Sequence, residues 1–271
     1  MSSSRSNRRT GRSPSISTSW DPVAKWSSGW VGKRGSIYHR RAAIPTVLEF
    51  GRFERGESVL DVGCGQGVLA PHVLSLGASY VGVDASRRLL ATARRFHGER
   101  ARFRLADSRR LHEEHALANG CFDAAVFMLS LQDMDPLEEV VESVAKVLKP
   151  TGRIVIFMTH PCFRVPRGSG WGHDRSRKLS YRRVERYLRE ARVPMKVFSE
   201  VSRNSRGATI SFHRPLAAYI NTLARYGFST DRLAEIADPL AGEVGRSPQD
   251  DIPLLVALRA RRSPPPEGAT G

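Results

Sequence analysis

The sequence has 271 residues, 40% of them hydrophobic, which is enough for a full buried core. No apolar run reaches the roughly 18 to 20 residues that span a bilayer, and no apolar segment follows the basic N-terminus as in a signal peptide. We therefore expect a soluble, cytoplasmic protein without membrane association. Three widely spaced cysteines are typical of reduced thiols rather than a disulfide framework.

The net charge of +16 is unevenly distributed along the chain. Residues 162–214 contain 14 Lys and Arg against 4 Asp and Glu, a local excess of +10, and residues 1–19 add four arginines without an acid. Basic stretches of this kind bind phosphates in some proteins and form a solvated surface in many others. Charge alone therefore leaves nucleic acid open as a partner.

Composition divides the chain into a folded unit with two tails. Residues 1–19 are rich in Ser and Arg and nearly lack apolar side chains, and residues 263–271 are rich in Pro and Gly. Such segments do not bury enough apolar surface to offset the entropy of ordering. The sequence predicts disorder at both ends and one folded domain over 20–262.

Within that domain, strands and helices alternate. Helical patterning begins near Asp21, with Trp20, Trp26 and Trp30, and a second helix spans 38–50, where Pro45 begins or bends part of it. The predicted strands are 58–61, 80–84, 101–106, 122–128 and 153–159, and the helices between them are 68–76, 87–96 and 136–148, the last ending at a turn over 149–152. Strands apolar on both faces, alternating with helices, predict a doubly wound α/β fold around a mostly parallel sheet.

The regular alternation of strands and helices stops after Thr159 for about fifty residues. This segment contains glycines, prolines and many basic residues, and 179–191 is compatible with a helix. A strand at 208–212, a helix at 215–226 and an antiparallel pair at 228–236 and 252–260 follow. We expect a seven-stranded sheet with an antiparallel edge hairpin, and residues 160–212 as an inserted cap that binds an acceptor.

The first predicted strand runs directly into Asp61 and three alternate glycines, Gly63, Gly65 and Gly67, with Cys64 between the first two. Glycines let the backbone approach a ligand at the end of a strand. The spacing is G-x-G-x-G, not the dinucleotide pattern G-x-G-x-x-G, and the Asp61 carboxylate would repel a pyrophosphate. The loop therefore favours a ligand with a cationic group.

This loop resembles motif I of the class I S-adenosylmethionine-dependent methyltransferases. The resemblance covers residues 38–158 clearly and 213–235 more weakly. It implies a Rossmann-like fold, S-adenosylmethionine as cofactor, S-adenosylhomocysteine as product and a methyl transfer of the EC 2.1.1 class. In-line displacement at an activated methyl group requires mainly positioning from the protein.

Two further aspartates end the next two strands. Asp84, followed by Ala85, stands about twenty residues after the glycine loop, where a carboxylate can accept both ribose hydroxyls; its alternative role is a helix cap, which Ser86 can also fill. Asp107, followed by Ser108, matches the family residue that accepts a bond from the adenine amino group, or it is a simple loop cap. Since parallel strands end at one edge, one ligand can contact all three aspartates.

The fourth strand and the segment before the first complete the predicted cofactor site. Phe127 and Met128 resemble the family's fourth motif, and we expect them to line the cofactor site. Asp133 lies within reach of the reacting centre or caps the helix beginning at Pro136. Tyr38 resembles an aromatic residue that folds over the cofactor in relatives, or it packs its own helix.

A general base is needed only when the acceptor retains its proton. His160, at the end of the fifth strand, and His213, before the later helix, are candidates, because histidine is the side chain most often used as a general base. Alternatively, each histidine only stabilises its loop through hydrogen bonds. No metal site is predicted, because His160 and Cys162 have no second ligand pair.

The leading hypothesis is methyl transfer to a small, aromatic or planar acceptor, with oxygen favoured over nitrogen or carbon. Four aromatic residues of the cap suit such an acceptor: Phe163, Trp171, Tyr181 and Tyr187. The alternative is an RNA or tRNA methyltransferase that uses the basic cap, although no RNA-binding module is recognisable. A non-catalytic cofactor-binding scaffold is disfavoured by the intact loop with its three aspartates.

Overall fold

The computed structural model describes residues 20, 21, 24, 31–117, 121–196, 208–240 and 251–262. The two predicted tails lie outside the described residues, as does most of the predicted N-terminal helix, including Trp26 and Trp30; Asp21 and Ala24 of that helix are described and helical. Among the described residues, no helix is both long and apolar enough to cross a bilayer.

A seven-stranded sheet forms the centre of the fold. Its order is β10-β11-β5-β4-β1-β2-β3, and its bounds are β1 Ser58–Val62, β2 Ser79–Asp84, β3 Arg102–Leu105, β4 Phe122–Met128, β5 Leu148–Thr159, β10 Phe228–Ile236 and β11 Leu255–Arg262. The first five strands are parallel, and β11 is antiparallel to both β5 and β10. The predicted mostly parallel sheet with an antiparallel edge hairpin is confirmed.

Helices cover both faces of this sheet. One face packs against α1 Ile44–Gly51, α2 Ala70–Ser75 and α3 Arg87–His97, and the other against α4 Leu137–Val147 and α5 Leu216–Arg225. A π-helical turn, His39–Ala43, precedes α1, and Pro45 lies in the first turn of α1, where its missing N–H costs nothing. Neighbouring residues of β4 and β5 alternate between the two cores, which explains their unbroken apolar sequence.

The turn predicted at 149–152 lies inside β5 as an irregularity of the ladder. Leu148 pairs with Phe122, and the next paired residue of β5, Arg153, pairs with Ala124. The four residues of β5 between them are therefore unpaired and bulge out of the sheet. The strand therefore begins before the turn, and the predicted start at residue 153 marks where regular pairing resumes.

Two hairpins build the segment between β5 and α5. β6 Ser169–Asp174 pairs with β7 Leu179–Val184, and β8 Ala191–Lys196 pairs with β9 Ala208–His213. The helix predicted over 179–191 is wrong. Exposure alternates along β7, residue by residue, so the pattern has the period of a strand.

A buried ion pair anchors the base of the sheet. The Arg153 side chain is 9% exposed, forms two hydrogen bonds to Glu57 at 2.8 and 2.6 Å, and donates to the carbonyl oxygens of Gly51 and Arg52. Removing one partner of such a pair leaves a buried charge without compensation.

We expect Glu57→Ala to lower the free energy of unfolding by about 3 kcal/mol, because the Arg153 guanidinium loses its carboxylate. Denaturant unfolding measures this change. The control is Glu142→Ala, which breaks an exposed pair with Lys146 and should change the free energy of unfolding far less than Glu57→Ala, because solvent screens exposed ion pairs. Equal effects of the two variants would contradict the assignment.

Candidate functional site

A cavity of about 820 Å³ opens at the carboxyl edge of the parallel strands, within the size range of small-molecule sites. The ends of β1, β2 and β4 and the loop after β3 form one side, and residues of the inserted segment form the other. Ten of the predicted site residues line it: Tyr38, Asp61, Gly63, Cys64, Gly65, Asp84, Ala85, Asp107, Ser108 and Met128. Asp133 lines the cavity as well.

The three glycines of the loop have positive φ angles and different surroundings. A Cβ on Gly65 would meet no atom within 4 Å, so this backbone is open to a ligand. A Cβ on Gly63 would lie 2.6 Å from Cβ of Ser130, and one on Gly67 would lie 2.7 Å from the Phe103 ring. Gly67 therefore serves close packing and does not line the cavity, whereas Gly65 presents backbone to it.

Asp84 joins the glycine loop to the start of α3. One carboxylate oxygen accepts from the Gly65 amide at 2.9 Å and the other from the Ser86 amide at 2.8 Å. The Ser86 hydroxyl caps α3 by accepting from the Leu89 amide. Burial raises the pKa of Asp84 to about 6, and the two amide bonds oppose that shift. Because each oxygen has a second lone pair, Asp84 retains acceptor capacity towards the cavity.

Asp61 is the most buried acid of the cavity, with 1% exposure. Its Oδ2 accepts from the Tyr80 hydroxyl at 2.6 Å, and its Oδ1 is buried without a hydrogen-bond partner among the described residues. Burial raises the pKa of Asp61 to about 7, partly countered by the Tyr80 bond. A buried oxygen with no donor is costly, and a cationic or N–H group in the cavity would satisfy it.

Asp107 caps the 3₁₀ helix Ser108–Glu113 by accepting from the Arg109 amide. The Arg109 side chain also binds both carboxylate oxygens, and these bonds hold the pKa of Asp107 below its ordinary value despite partial burial. The capping role is thus observed. The predicted contact with an adenine amino group would share oxygens that Arg109 already occupies.

Asp133 ends the 3₁₀ helix Leu131–Asp133 and does not cap α4, whose first turn has no side-chain cap. Burial raises the pKa of Asp133 to about 7, and the neighbouring Ser211 and Trp20 side chains partly oppose that shift. The capping alternative for Asp133 is therefore wrong. A carboxylate with a pKa near neutrality, facing a cavity, is suited to accept a proton.

The structure places both histidines outside the main cavity. His160 is fully buried; its Nδ1 accepts from the Cys162 amide at 3.2 Å, so its Nε2 donates to Glu235 at 2.8 Å. His213 is 3% exposed and donates through Nε2 to the Tyr187 carbonyl at 2.7 Å. Both rings therefore stabilise the structure through hydrogen bonds, and the geometry does not support either histidine as the general base.

Three other predicted residues have different surroundings. Phe127 is completely buried in the sheet core and does not reach the cavity, because it points to the opposite face from Met128. The Tyr38 hydroxyl donates to Asp238 at 3.1 Å while its ring lines the cavity. The Cys64 thiol is buried near Gly82, and burial raises its pKa.

Sequence reasoning missed several residues that line the cavity opposite the ends of β1 and β2. Arg164, Arg182, Thr209 and Ser211 come from the inserted segment, and Gln132 comes from the 3₁₀ helix after β4. The arginine excess of residues 162–214 was a signal, but it did not indicate which guanidinium groups face inward. Which guanidinium groups face inward depends on the alternating exposure of side chains along β7, and the predicted helix did not show this alternation.

Comparison with known proteins gives consistent similarities. Residues 60–156 match the family model described as a methyltransferase domain. A ubiquinone biosynthesis O-methyltransferase of Sodalis glossinidius is 30% identical over 150 residues, covering 55% of this chain and 60% of that protein. A demethylmenaquinone methyltransferase of Tropheryma whipplei is 34% identical over 107 residues, or 39% of this chain and 44% of that protein. The matched region thus spans less than two thirds of these relatives.

A solved structure extends the similarity over most of the chain. The S-adenosylmethionine-dependent methyltransferase from Mesorhizobium loti superposes with a TM-score of 0.65 at 26% identity, covering 85% of this chain and all of that one.

The raised pKa of Asp61 predicts how stability depends on pH. Between its ordinary pKa near 4 and about 7, the folded protein holds a proton that the unfolded chain releases, so stability falls as pH rises through this window. We expect Asp61→Asn to raise the free energy of unfolding of the ligand-free protein at pH 8 by at least about 1 kcal/mol.

Denaturant titrations at pH 5 and pH 8 test this expectation. At pH 5 the variant's advantage should be clearly smaller than at pH 8, because only part of the window between about 4 and about 7 has then been crossed. A variant equally or less stable than the parent at pH 8 would contradict the argument.

Proposed function

We propose that this chain, which belongs to the class I S-adenosylmethionine-dependent methyltransferases, methylates a hydroxyl oxygen of a small-molecule acceptor. The observation that carries the proposal is the single cavity with two chemically different sides. The strand ends with their carboxyl groups form one side. The inserted hairpins form the other side, and Asp133, which follows β4, lies beside Ser211 of that segment. Its volume suits a cofactor and a small acceptor together.

The residues present fit the cofactor of this family. Asp61 offers an unpartnered buried carboxylate oxygen to a cationic group, and Gly65 leaves its backbone open. Asp84 has free lone pairs for neighbouring hydroxyl donors. When bound, S-adenosylmethionine supplies a methyl group activated by a sulfonium centre. A cation beside Asp61 would also favour its ionised form.

The chain's own contribution is to position both reactants and to manage the acceptor's proton. Asp133 is partly ionised at neutral pH because burial raises its pKa to about 7. It can therefore take a proton from a phenolic or alcoholic hydroxyl held beside it, which raises the nucleophilicity of that oxygen. The neighbouring Ser211 and Trp20 side chains partly oppose this rise in pKa and so favour the ionised carboxylate.

The relatives support a small acceptor. Two of them are named for ubiquinone and menaquinone biosynthesis, in which the methylated compounds are small molecules. Turnover of labelled cofactor against phenols, amines, carboxylates and transfer RNA tests the assignment. Methylation of a hydroxyl compound is the expected result, and transfer to RNA alone would overturn it in favour of the nucleic-acid alternative.

We expect Asp84→Asn to weaken S-adenosylhomocysteine binding about 100-fold, because hydrogen bonds to a charged carboxylate are each worth more than those to a neutral amide. Isothermal calorimetry measures the affinity. Circular dichroism should be unchanged, since Asn preserves the shape of the side chain. Asp123→Asn, a substitution at the opposite end of β4 from the cavity, is the control and should bind normally.

We expect the rate with a hydroxyl acceptor to rise with pH through about 7, as Asp133 loses its proton. Asp133→Asn should remove this dependence and lower kcat by about 10² or more. His160→Gln and His213→Gln serve as matched controls, because both rings lie outside the cavity, and these variants should keep the rise near pH 7. A histidine variant that loses it while Asp133→Asn keeps it would restore histidine as the base.

A further inference from the structure

Two arginines of the inserted segment face the same cavity. Arg164 lies in the turn after β5, and Arg182 lies on β7 with its side chain directed inward. The Arg182 guanidinium is fixed by hydrogen bonds to the Phe163 carbonyl at 2.9 Å and the Ser169 hydroxyl at 3.1 Å, and it stacks 5.2 Å from the centre of the Trp171 ring. Its position is therefore built into the hairpin.

Neither guanidinium is neutralised within the described part of the chain. No carboxylate oxygen there lies within 4.0 Å of Arg164 or Arg182, whereas the buried Arg153, Arg214 and Arg259 each have one. Burial and then the nearby Arg164 charge lower the pKa of Arg182. Two like charges at the wall of one cavity repel each other, and an anion between them relieves that repulsion.

We propose that Arg164 and Arg182 bind an anionic group of the acceptor, a carboxylate or a phosphate. This inference rests on the proposed function, since it assigns the inserted side of the cavity to the acceptor, and it names the substrate class. The acceptor then carries a negative group at the arginines and its hydroxyl at Asp133.

The cofactor's own carboxylate is the competing occupant. Burial and the Asp238 carboxylate raise the pKa of Tyr38, and the Arg164 charge partly opposes that rise, so Arg164 lies on the side of the cavity where Tyr38 stands. Arg182 belongs to the hairpin, and among the described residues its side chain donates hydrogen bonds to Phe163 and Ser169, both in the inserted segment. Saturating the protein with S-adenosylhomocysteine fills the cofactor side first and separates the two possibilities.

The test measures binding of three probes to the S-adenosylhomocysteine-saturated full chain by ligand-observed NMR titration. The probes are 3,4-dihydroxybenzoate, its uncharged amide and phenyl phosphate. We expect the benzoate to bind at least about tenfold more tightly than the amide, as charge-assisted hydrogen bonds predict. The phosphate arm shows which anion the pair prefers.

Arg164→Gln is the primary variant, because Arg164 forms no side-chain hydrogen bond among the described residues that its loss would leave broken. It should abolish the preference for benzoate over amide without changing S-adenosylhomocysteine affinity. Arg182→Lys, which retains charge but not the fork of donors, should reduce the preference severalfold. Arg183→Gln is the control: it is the next residue on β7, 58% exposed and paired with Glu185, and it should behave as the parent.

Three results would overturn the inference. They are equal binding of benzoate and amide, no binding of any probe up to millimolar concentration, and a loss of S-adenosylhomocysteine affinity in Arg164→Gln. The last would assign Arg164 to the cofactor carboxylate. If S-adenosylhomocysteine does not bind the parent protein, the proposed function itself is contradicted. Failure of the anion-site inference and failure of the proposed function therefore give different results.

Discussion

Everything at the carboxyl edge of this sheet depends on holding carboxyl groups where burial disfavours their charge. Burial is the main cause of the raised pKa in Asp61, Asp84 and Asp133. The protein offsets this with backbone amides at Asp84 and a tyrosine hydroxyl at Asp61. One oxygen of Asp61 remains without a described partner. Because an incompletely satisfied acid is costly, this edge is better explained as a ligand site than as a source of stability.

The two sides of the cavity are held by different means. Ladders of parallel strands fix the aspartates, so their spacing follows from sheet register. The inserted hairpins pair only within themselves, and side-chain anchors tie them to the sheet domain. His160 bonds to Glu235 on β10, and Arg214 bonds to the Met134 carbonyl and Asp135. The histidines thus contribute to positioning the wall opposite the aspartates.

The sequence was sufficient for the sheet and the glycine loop because both signals are local. Apolar runs identified strands buried on both faces, and Asp61 and Asp84 followed from their place at strand ends. The inserted segment was harder. Its hairpin β6–β7 has exposed faces and many arginines, so no apolar stripe distinguishes strand from helix, and only pairing reveals the alternation of Arg182 and Arg183.

The sequence could not decide between the candidate bases His160, His213 and Asp133 for a related reason. A histidine in a loop beside a proline carries no sequence mark of whether its ring nitrogens are already bonded, and His160 uses both. Asp133 was seen as a candidate, but its elevated pKa depends on burial beside Ser211, 78 positions away in sequence. Protonation of a carboxyl group is a property of its surroundings, and those surroundings are assembled only by the fold.

Opposite charges on the two sides of one cavity have a consequence for how reactants are oriented. On our proposals, acids at the strand ends attract the cationic cofactor, and guanidinium groups on the hairpins attract an anionic acceptor. If the cofactor and the acceptor exchanged places, like charges would face each other in a partly desolvated space, where repulsion is stronger than in water. Electrostatics alone would then favour the arrangement in which the acceptor hydroxyl lies beside Asp133, between the two charged sides.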